Sequence, residues 1–236
     1  MSLTKTQIDS LIDRNLGTNS VSYPVADKTA DENLAIDNVF SMIFEVGGRW
    51  KFDDSNHTDY PFMTTDLVAG QRDYSFTSDG SGNLVINIYK VMVSNDGGQT
   101  YQEAYPVDMM SDDETYNFWD GNNVQGTVFR YSKTANGIFL DQVPSGNVVD
   151  GLKVFIDREG SYFTTNDTSK KPGFAGLFHE YVALRPSYQY AMRNGMKNAE
   201  VFKRDMLEME QHIRKHYRDR SRDESLVLQA EEINYI

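Results

Sequence analysis

The feature that most constrains the fold is a change in the period of the apolar residues along the chain. After Pro172–Gly173, apolar side chains recur at three- and four-residue intervals, which is typical of one face of a helix. The two groups are Leu177, Tyr181, Leu184, Tyr188 and Ala191, then Ala199, Phe202, Met206, Met209, Ile213 and Tyr217. Asn194–Gly195 predicts a left-handed cap between them, and Pro186 predicts a kink or an end in the first helix. The pattern therefore predicts two C-terminal helices.

The N-terminal residues show the same helical period. Thr4 with Gln7, and Thr29 with Glu32, have the spacing of a capping box, so each pair predicts a helix start. The apolar residues that follow are Ile8, Leu11, Ile12 and Leu16 before Gly17, then Ala35, Val39, Met42, Ile43 and Val46 before Gly47–Gly48. We therefore expect two helices in this part of the chain.

The middle of the chain has the composition of β-strands. Segments rich in Val, Ile, Tyr and Phe, bounded by turn residues, are 73–77, 84–94, 126–132, 137–141 and 152–157. Asn95–Gly98 and Asn136–Gly137 predict hairpin turns, because both need residues that tolerate positive φ. The segment 108–123 is rich in acidic residues, and we therefore expect a long loop between the hairpins.

These patterns predict an α+β fold. We expect a helical bundle of two N-terminal and two C-terminal helices, with an inserted antiparallel β region and an extended C-terminal tail. The corresponding boundaries are residues 1–50 with 172–220 for the helical domain, 51–171 for the β-rich insertion, and 221–236 for the tail.

Composition limits the environment and the partners of the chain. There is no cysteine, so disulfides and thiolate metal sites are excluded, which suits a reducing cytoplasm. No apolar signal segment and no window of about 20 apolar residues is present, so neither export nor membrane insertion is expected. The formal net charge of -12 repels polyanions, so nucleic acid should pass the protein without being held.

Catalytic and metal-binding patterns are weak. His179–Glu180 begins like a zinc-protease helix motif, but Ala183 stands where the second histidine is needed. His212 and His216 could share a metal but are typical of a polar helix face. We therefore expect no catalytic site, no cofactor and no metal.

One catalytic alternative remains open in the sequence. Asp112 or Glu114 together with Asp141 could act as the acid and base of a glycoside hydrolase, which needs only two suitably spaced carboxyl groups. Acidic loops are, however, ordinary solvated surface, and the sequence does not place these groups together.

Two segments near the C-terminus suggest contact with a partner. The last predicted helix ends in a basic stretch formed by Arg214, Lys215, Arg218, Arg220 and Arg222. These cations either stabilise the negative end of the helix dipole or face an anionic partner. The apolar residues beyond it are Leu226, Val227, Leu228, Ile233, Tyr235 and Ile236. They form either a disordered terminus or a tail that docks on a neighbouring chain.

The order of local motifs resembles the head-to-tail adaptor family of tailed bacteriophages. The motifs are 70–76 at the entry to the first strand, 88–98 as a strand and turn, 137–144 with 152–156 as a late strand pair, and 172–195 as the helix after the β region. Together they cover most of residues 1–220. Each motif consists of common core and turn residues, so the resemblance lies in their order.

The resemblance implies a structural virion protein without enzymatic activity, made in the host cytoplasm and located in the neck or tail. Such a protein forms a homo-oligomeric ring of about twelve subunits below the portal protein and lines the channel through which DNA leaves. The helices would form the annulus, the tail would dock on the portal, and a downstream neck or tail protein would bind the other side. No membrane partner is implied.

Two other functions are compatible with the same sequence features. Another neck or tail component, such as a stopper or tail-completion protein, would share the acidity, the lack of cysteine and the β insertion. A carbohydrate-active tail protein would use the acidic residues, and replacing Asp113 or Glu114 would then abolish sugar cleavage.

Overall fold

A computed structural model describes residues 2–47, 62–80, 82–108, 125–134 and 137–224, with side chains described to residue 219. The chain divides into two compact units. The helical unit comprises residues 1–58 and 160–236, and the β unit comprises residues 59–159. Each unit has its own hydrophobic core.

Helices α1 (Lys5–Leu16) and α2 (Val25–Gly47) begin the helical unit. The first capping box is confirmed, because Gln7 Oε1 accepts a hydrogen bond of 2.9 Å from the backbone N–H of Thr4. The predicted second start is wrong, because α2 already begins at Val25. The hydroxyl of Thr29 donates to the carbonyl of Val25 at 2.8 Å, so it lies inside the helix and does not cap it.

Helices α3 (Tyr181–Arg193) and α4 (Ala199–Glu224) follow a short 3₁₀ turn at Gly176–Phe178. The predicted break between them is confirmed: Gly195 has φ 62°, and the N–H of Met196 donates to the carbonyl of Ala191 at 2.9 Å. Pro186 does not end α3, which continues through it. None of the helices in the described ranges has the length and apolar character of a transmembrane span.

The β unit contains seven strands in the order β1-β7-β3-β4-β5-β6-β2. Their bounds are Phe62–Leu67, Asp73–Ser75, Val85–Val93, Gln102–Pro106, Arg130–Thr134, Gly137–Leu140 and Val148–Arg158 for β1 to β7. Both predicted hairpins are confirmed, since β3 pairs with β4 and β5 with β6 in antiparallel register. The long connection after β4 lets β5 run parallel to it, so the sheet is mixed.

The predicted fold class is therefore wrong. The β region is neither purely antiparallel nor a minor insertion into a helical bundle, but a curled seven-stranded mixed sheet with a core of its own. Two strands, β1 and β4, had not been predicted. Four of the five residues of β4 are exposed and only Ala104 is buried, so β4 lacks the run of buried apolar residues on which strand prediction rests.

Candidate interaction surfaces

One face of the sheet forms the core of the β unit, and the opposite face carries an aromatic surface. Across the central strands, Val91 of β3 lies opposite Val154 of β7 and Ala104 of β4, and all three are buried. Residues one position away point to the other face, because side chains alternate along a strand. Lys153 and Phe155 of β7 therefore lie outside the core.

A β-bulge enlarges this outer face. The pairing of β3 with β7 shifts between Ile88 and Lys90, so both Tyr89 and Lys90 stand opposite Phe155. The Tyr89 ring centroid lies 6.0 Å from that of Phe155, and Phe62 of β1 lies 5.6 Å from Phe155 on the other side. The bulge therefore adds one more aromatic ring to the surface.

Lys153 lies among these rings. Its Nζ is 3.9 Å from the ring centroid of Phe62, 5.2 Å from that of Tyr101 and 5.9 Å from that of Phe155, which are cation–π distances. No carboxylate in the described part of the chain pairs with this ammonium group, whereas Lys90 nearby is neutralised by Glu103 at 2.8 Å. We call Phe62, Tyr89, Tyr101, Lys153 and Phe155 the aromatic platform.

Two exposed aliphatic side chains lie on α4. Val201 and Leu207 are each 46% exposed. Glu208 is also exposed, and it lies on the same side of the helix as Val201 because the two are seven residues apart. Its carboxylate makes no ion pair with the residues described, while Arg204 beside it pairs with Asp205 at 3.2 Å. Leu207, by contrast, is six residues from Val201 and lies about 120° around the helix from it.

A buried charge cluster joins α1 to α2. Lys5 and Glu32 have fully buried side chains, with Nζ and Oε2 3.3 Å apart, and Lys5 also pairs with Asp9 at 2.8 Å. One turn further along α1, Asp13 pairs with Lys28 at 2.6 Å. Buried charges of this kind need partners, because desolvation costs several kcal/mol per unpaired ion.

Asp31 completes the charge cluster. Its Oδ2 accepts a hydrogen bond of 2.6 Å from the hydroxyl of Tyr23 and lies 3.3 Å from Arg193 of α3. Burial and the hydrogen bond to Asp31 raise the pKa of Tyr23, so its hydroxyl remains a donor. The Tyr23 ring stacks on that of Tyr190 at 4.5 Å, which links the segment before α2 to α3.

Glu32 is the uncharged member of the cluster. Burial, followed by the nearby charge of Asp9, raises the pKa of Glu32 to about 9. The cluster contains four carboxyl groups and three cations, so a protonated Glu32 leaves it neutral. A carboxyl group with a raised pKa can serve as a catalytic acid, but this side chain has 0% exposure, so no substrate reaches it. The cluster therefore holds α1 against α2 and binds a proton at Glu32.

His179 has a structural role. Its Nδ1 accepts a hydrogen bond of 3.0 Å from the N–H of Leu3, and its Nε2 lies 2.9 Å from the carbonyl of Phe174, to which it donates. Burial lowers the pKa of His179, which keeps the ring neutral. The ring thereby ties the N-terminal residues to the segment before α3. Among the described residues no group of His, Asp and Glu side chains could hold a metal ion.

The basic residues of the predicted partner-facing helix end lie on the last turns of α4. Arg214 pairs with Glu45 at 3.1 Å and with Glu210 at 3.6 Å, so its charge is neutralised within the unit. Lys215 is exposed, and Arg218 is exposed with Asp219 at 3.9 Å. Arg220 and Arg222 belong to α4, but their side chains lie outside the described part of the chain.

Several predicted sites fall outside the described residues. These are the tail residues Leu226, Val227, Leu228, Ile233, Tyr235 and Ile236, and the acidic residues Asp112, Asp113 and Glu114. Of the predicted carboxylate pair, the structure places only Asp141, whose Oδ1 accepts a hydrogen bond of 3.2 Å from the N–H of Phe129.

The aromatic platform and the charge cluster were not predicted. The alternation of Lys153 and Phe155 is a weak sequence signal for the platform. The bulge at Tyr89 has no sequence signal, because it depends on the pairing of β3 with β7. Comparisons with known proteins add no assignment: no protein-family model matches the chain, and no curated protein matches it significantly.

Proposed function

We propose that this chain is a structural head-to-tail adaptor of a tailed bacteriophage, which forms a ring below the portal and links the capsid to the tail. The proposal rests on the order of the sequence motifs and on one structural observation. That observation is the presence of apolar side chains at two different places, the half-buried rings of the aromatic platform and the exposed Val201 and Leu207 of α4.

A closed ring of identical subunits uses heterologous interfaces, in which two different patches of the same subunit meet. Such a subunit therefore needs two complementary surfaces in different places. The platform is aromatic around Lys153, which pairs with no carboxylate among the described residues, and α4 exposes the aliphatic side chains of Val201 and Leu207. Aromatic side chains are enriched at protein interfaces because they bury large areas.

The proposed contact with the portal is the C-terminal tail. Residues 225–236 follow the basic end of α4 and include six large apolar side chains, which can bind pockets of a partner chain. A downstream neck or tail protein would bind the opposite side of the ring. The net charge of -12 suits a channel wall past which DNA moves without being held.

The experiment is to mix the purified chain with the portal ring of its phage and to measure the mass of the complex by size-exclusion chromatography with light scattering. The proposal predicts one ring of subunits per portal. A chain that lacks residues 226–236 should fold normally and fail to bind. Absence of any complex between the full-length chain and the portal, over a range of salt concentrations, would contradict the proposal.

A further inference from the structure

We propose that Asp9 and Glu32 share one proton, and that loss of this proton displaces helix α1 from α2. The two carboxyl groups meet beside the ammonium group of Lys5, where α1 contacts α2. The inference concerns the helical unit alone and does not depend on the adaptor function.

Three carboxyl oxygens between α1 and α2 lack a hydrogen-bond donor. Oδ1 of Asp9 and both carboxyl oxygens of Glu32 are buried, and no described residue donates a hydrogen bond to them. The hydrogen bond of 2.8 Å from Lys5 goes to the other oxygen of Asp9. The same ammonium group lies 3.3 Å from Oε2 of Glu32 without completing a hydrogen bond. Because buried acceptors without a donor are costly, one more donor is needed at this place.

A proton on Glu32 is that donor. The carboxyl groups of Asp9 and Glu32 are within hydrogen-bonding reach of each other. A protonated Glu32 donates its O–H to Oδ1 of Asp9, which satisfies one oxygen of each residue at once. Two ionised carboxylates at the same place would instead repel each other. Burial, and then the charge of Asp9, raise the pKa of Glu32 to about 9, so the proton is bound at neutral pH.

The other charged groups around this pair have partners of their own. They are Lys28 with Asp13, Asp31 with Arg193 and the hydroxyl of Tyr23, and Lys170 with the carbonyl of Tyr162. These groups lie on α1, on α2, on α3 and on the segment whose backbone accepts a hydrogen bond from the start of α1. An ionised Glu32 would therefore share the single ammonium group of Lys5 with Asp9.

Loss of the proton converts the contact between the two helices into a repulsion. The hydrogen bond between Asp9 and Glu32 disappears, and two negative charges face each other beside one buried cation. Asp9 is the member that can move to water, because its side chain is 22% exposed whereas that of Glu32 has 0% exposure. Movement of Asp9 displaces α1, which carries the fully buried side chains of Ile8 and Ile12.

The first measurement locates the proton. Carboxyl ¹³C NMR follows the ionisation of Glu32, whose resonance is assigned by its loss in Glu32→Gln. The midpoint should lie near pH 9 in the wild type. Asp9→Asn should lower the midpoint by about one pH unit or more, because the amide has no charge and can donate to the ionised carboxylate.

Asp37→Asn is the matched control for this measurement. Asp37 is an exposed residue of α2 whose carboxylate accepts a hydrogen bond from the hydroxyl of Tyr162, so its replacement should leave the midpoint of Glu32 unchanged. Circular dichroism establishes that each variant is folded. A midpoint that Asp9→Asn does not move, or a Glu32 that is already ionised at neutral pH, would overturn the shared proton.

The second measurement tests the displacement of α1 by methyl NMR of the isoleucines. Ile8 and Ile12 report on α1, and Ile213 of α4 is the reference in the same core. As the pH rises from about 7 to about 10, the Ile8 and Ile12 resonances should change with the midpoint of Glu32, while Ile213 changes little. In Glu32→Gln all three should stay constant. Unchanged Ile8 and Ile12 resonances during the ionisation of Glu32, or equal changes at Ile213, would contradict the displacement of α1.

Discussion

Replacing Glu32 by Gln should remove a pH dependence from the stability of the helical unit. In the unfolded chain this carboxyl group has a pKa near 4.5, and in the folded protein burial between α1 and α2 raises that pKa to about 9. Between these values the folded protein holds one more proton than the unfolded chain. The stabilising effect of this proton is therefore complete below pH 4.5 and is lost as the pH rises through about 9.

The magnitude follows from proton linkage. One proton difference changes the free energy of unfolding by about 1.4 kcal/mol per pH unit, so raising the pH from 6 to 8 should cost the wild-type protein about 2.7 kcal/mol through this group. Glutamine has nearly the same shape and no titrating proton, so the Glu32→Gln variant should lack that slope.

The assay is urea unfolding at pH 6, 7 and 8, followed by the circular dichroism of the helices. Glu208→Gln is the matched control, because Glu208 is exposed and should leave the slope unchanged. Parallel pH profiles for wild type and Glu32→Gln would refute the reasoning, since they would mean that Glu32 is ionised in the folded protein.

Two further predictions concern other buried groups. Burial lowers the pKa of His179 from its ordinary value of 6.5. The free energy of unfolding should therefore fall as the pH drops below about 6.5. The His179→Gln variant should show a smaller fall over this pH range in the same urea assay. Gly137→Ala should destabilise the β unit by about 1–3 kcal/mol in thermal unfolding, because an added Cβ would lie 2.3 Å from the backbone oxygen of Tyr74. Gly146→Ala, with no atom within 4 Å of the added Cβ, should be near neutral, and equal losses for both alanine variants would contradict the packing argument.

Local signals predicted the elements that depend on local physics. The capping box formed by Thr4 and Gln7 acts through a hydrogen bond within a few residues, and it was found as predicted. The helix break at Gly195 is equally local and was also found. The start of α2 was misplaced because Thr29 and Glu32 imitate a capping box, although Glu32 faces Lys5 of α1. A buried contact between a lysine and a carboxyl group on two helices leaves no local pattern that separates it from a cap.

The sheet could not be predicted for a different reason. Pairing in a sheet depends on contacts between distant residues, and β1 reaches its partner β7 across more than half of the β unit. The aromatic platform depends in turn on that pairing, because only the register of β1, β3 and β7 brings Phe62 and Tyr89 to Phe155. Its residues were therefore not recognisable as a surface before the strands were aligned.

The most direct test of the central claim is electron microscopy of the chain bound to its portal. The adaptor account predicts class averages in which a ring of this protein is stacked coaxially on the portal, with the same rotational symmetry and an open central channel. Portal rings without added density, in a mixture that contains an excess of the folded chain, would contradict the account.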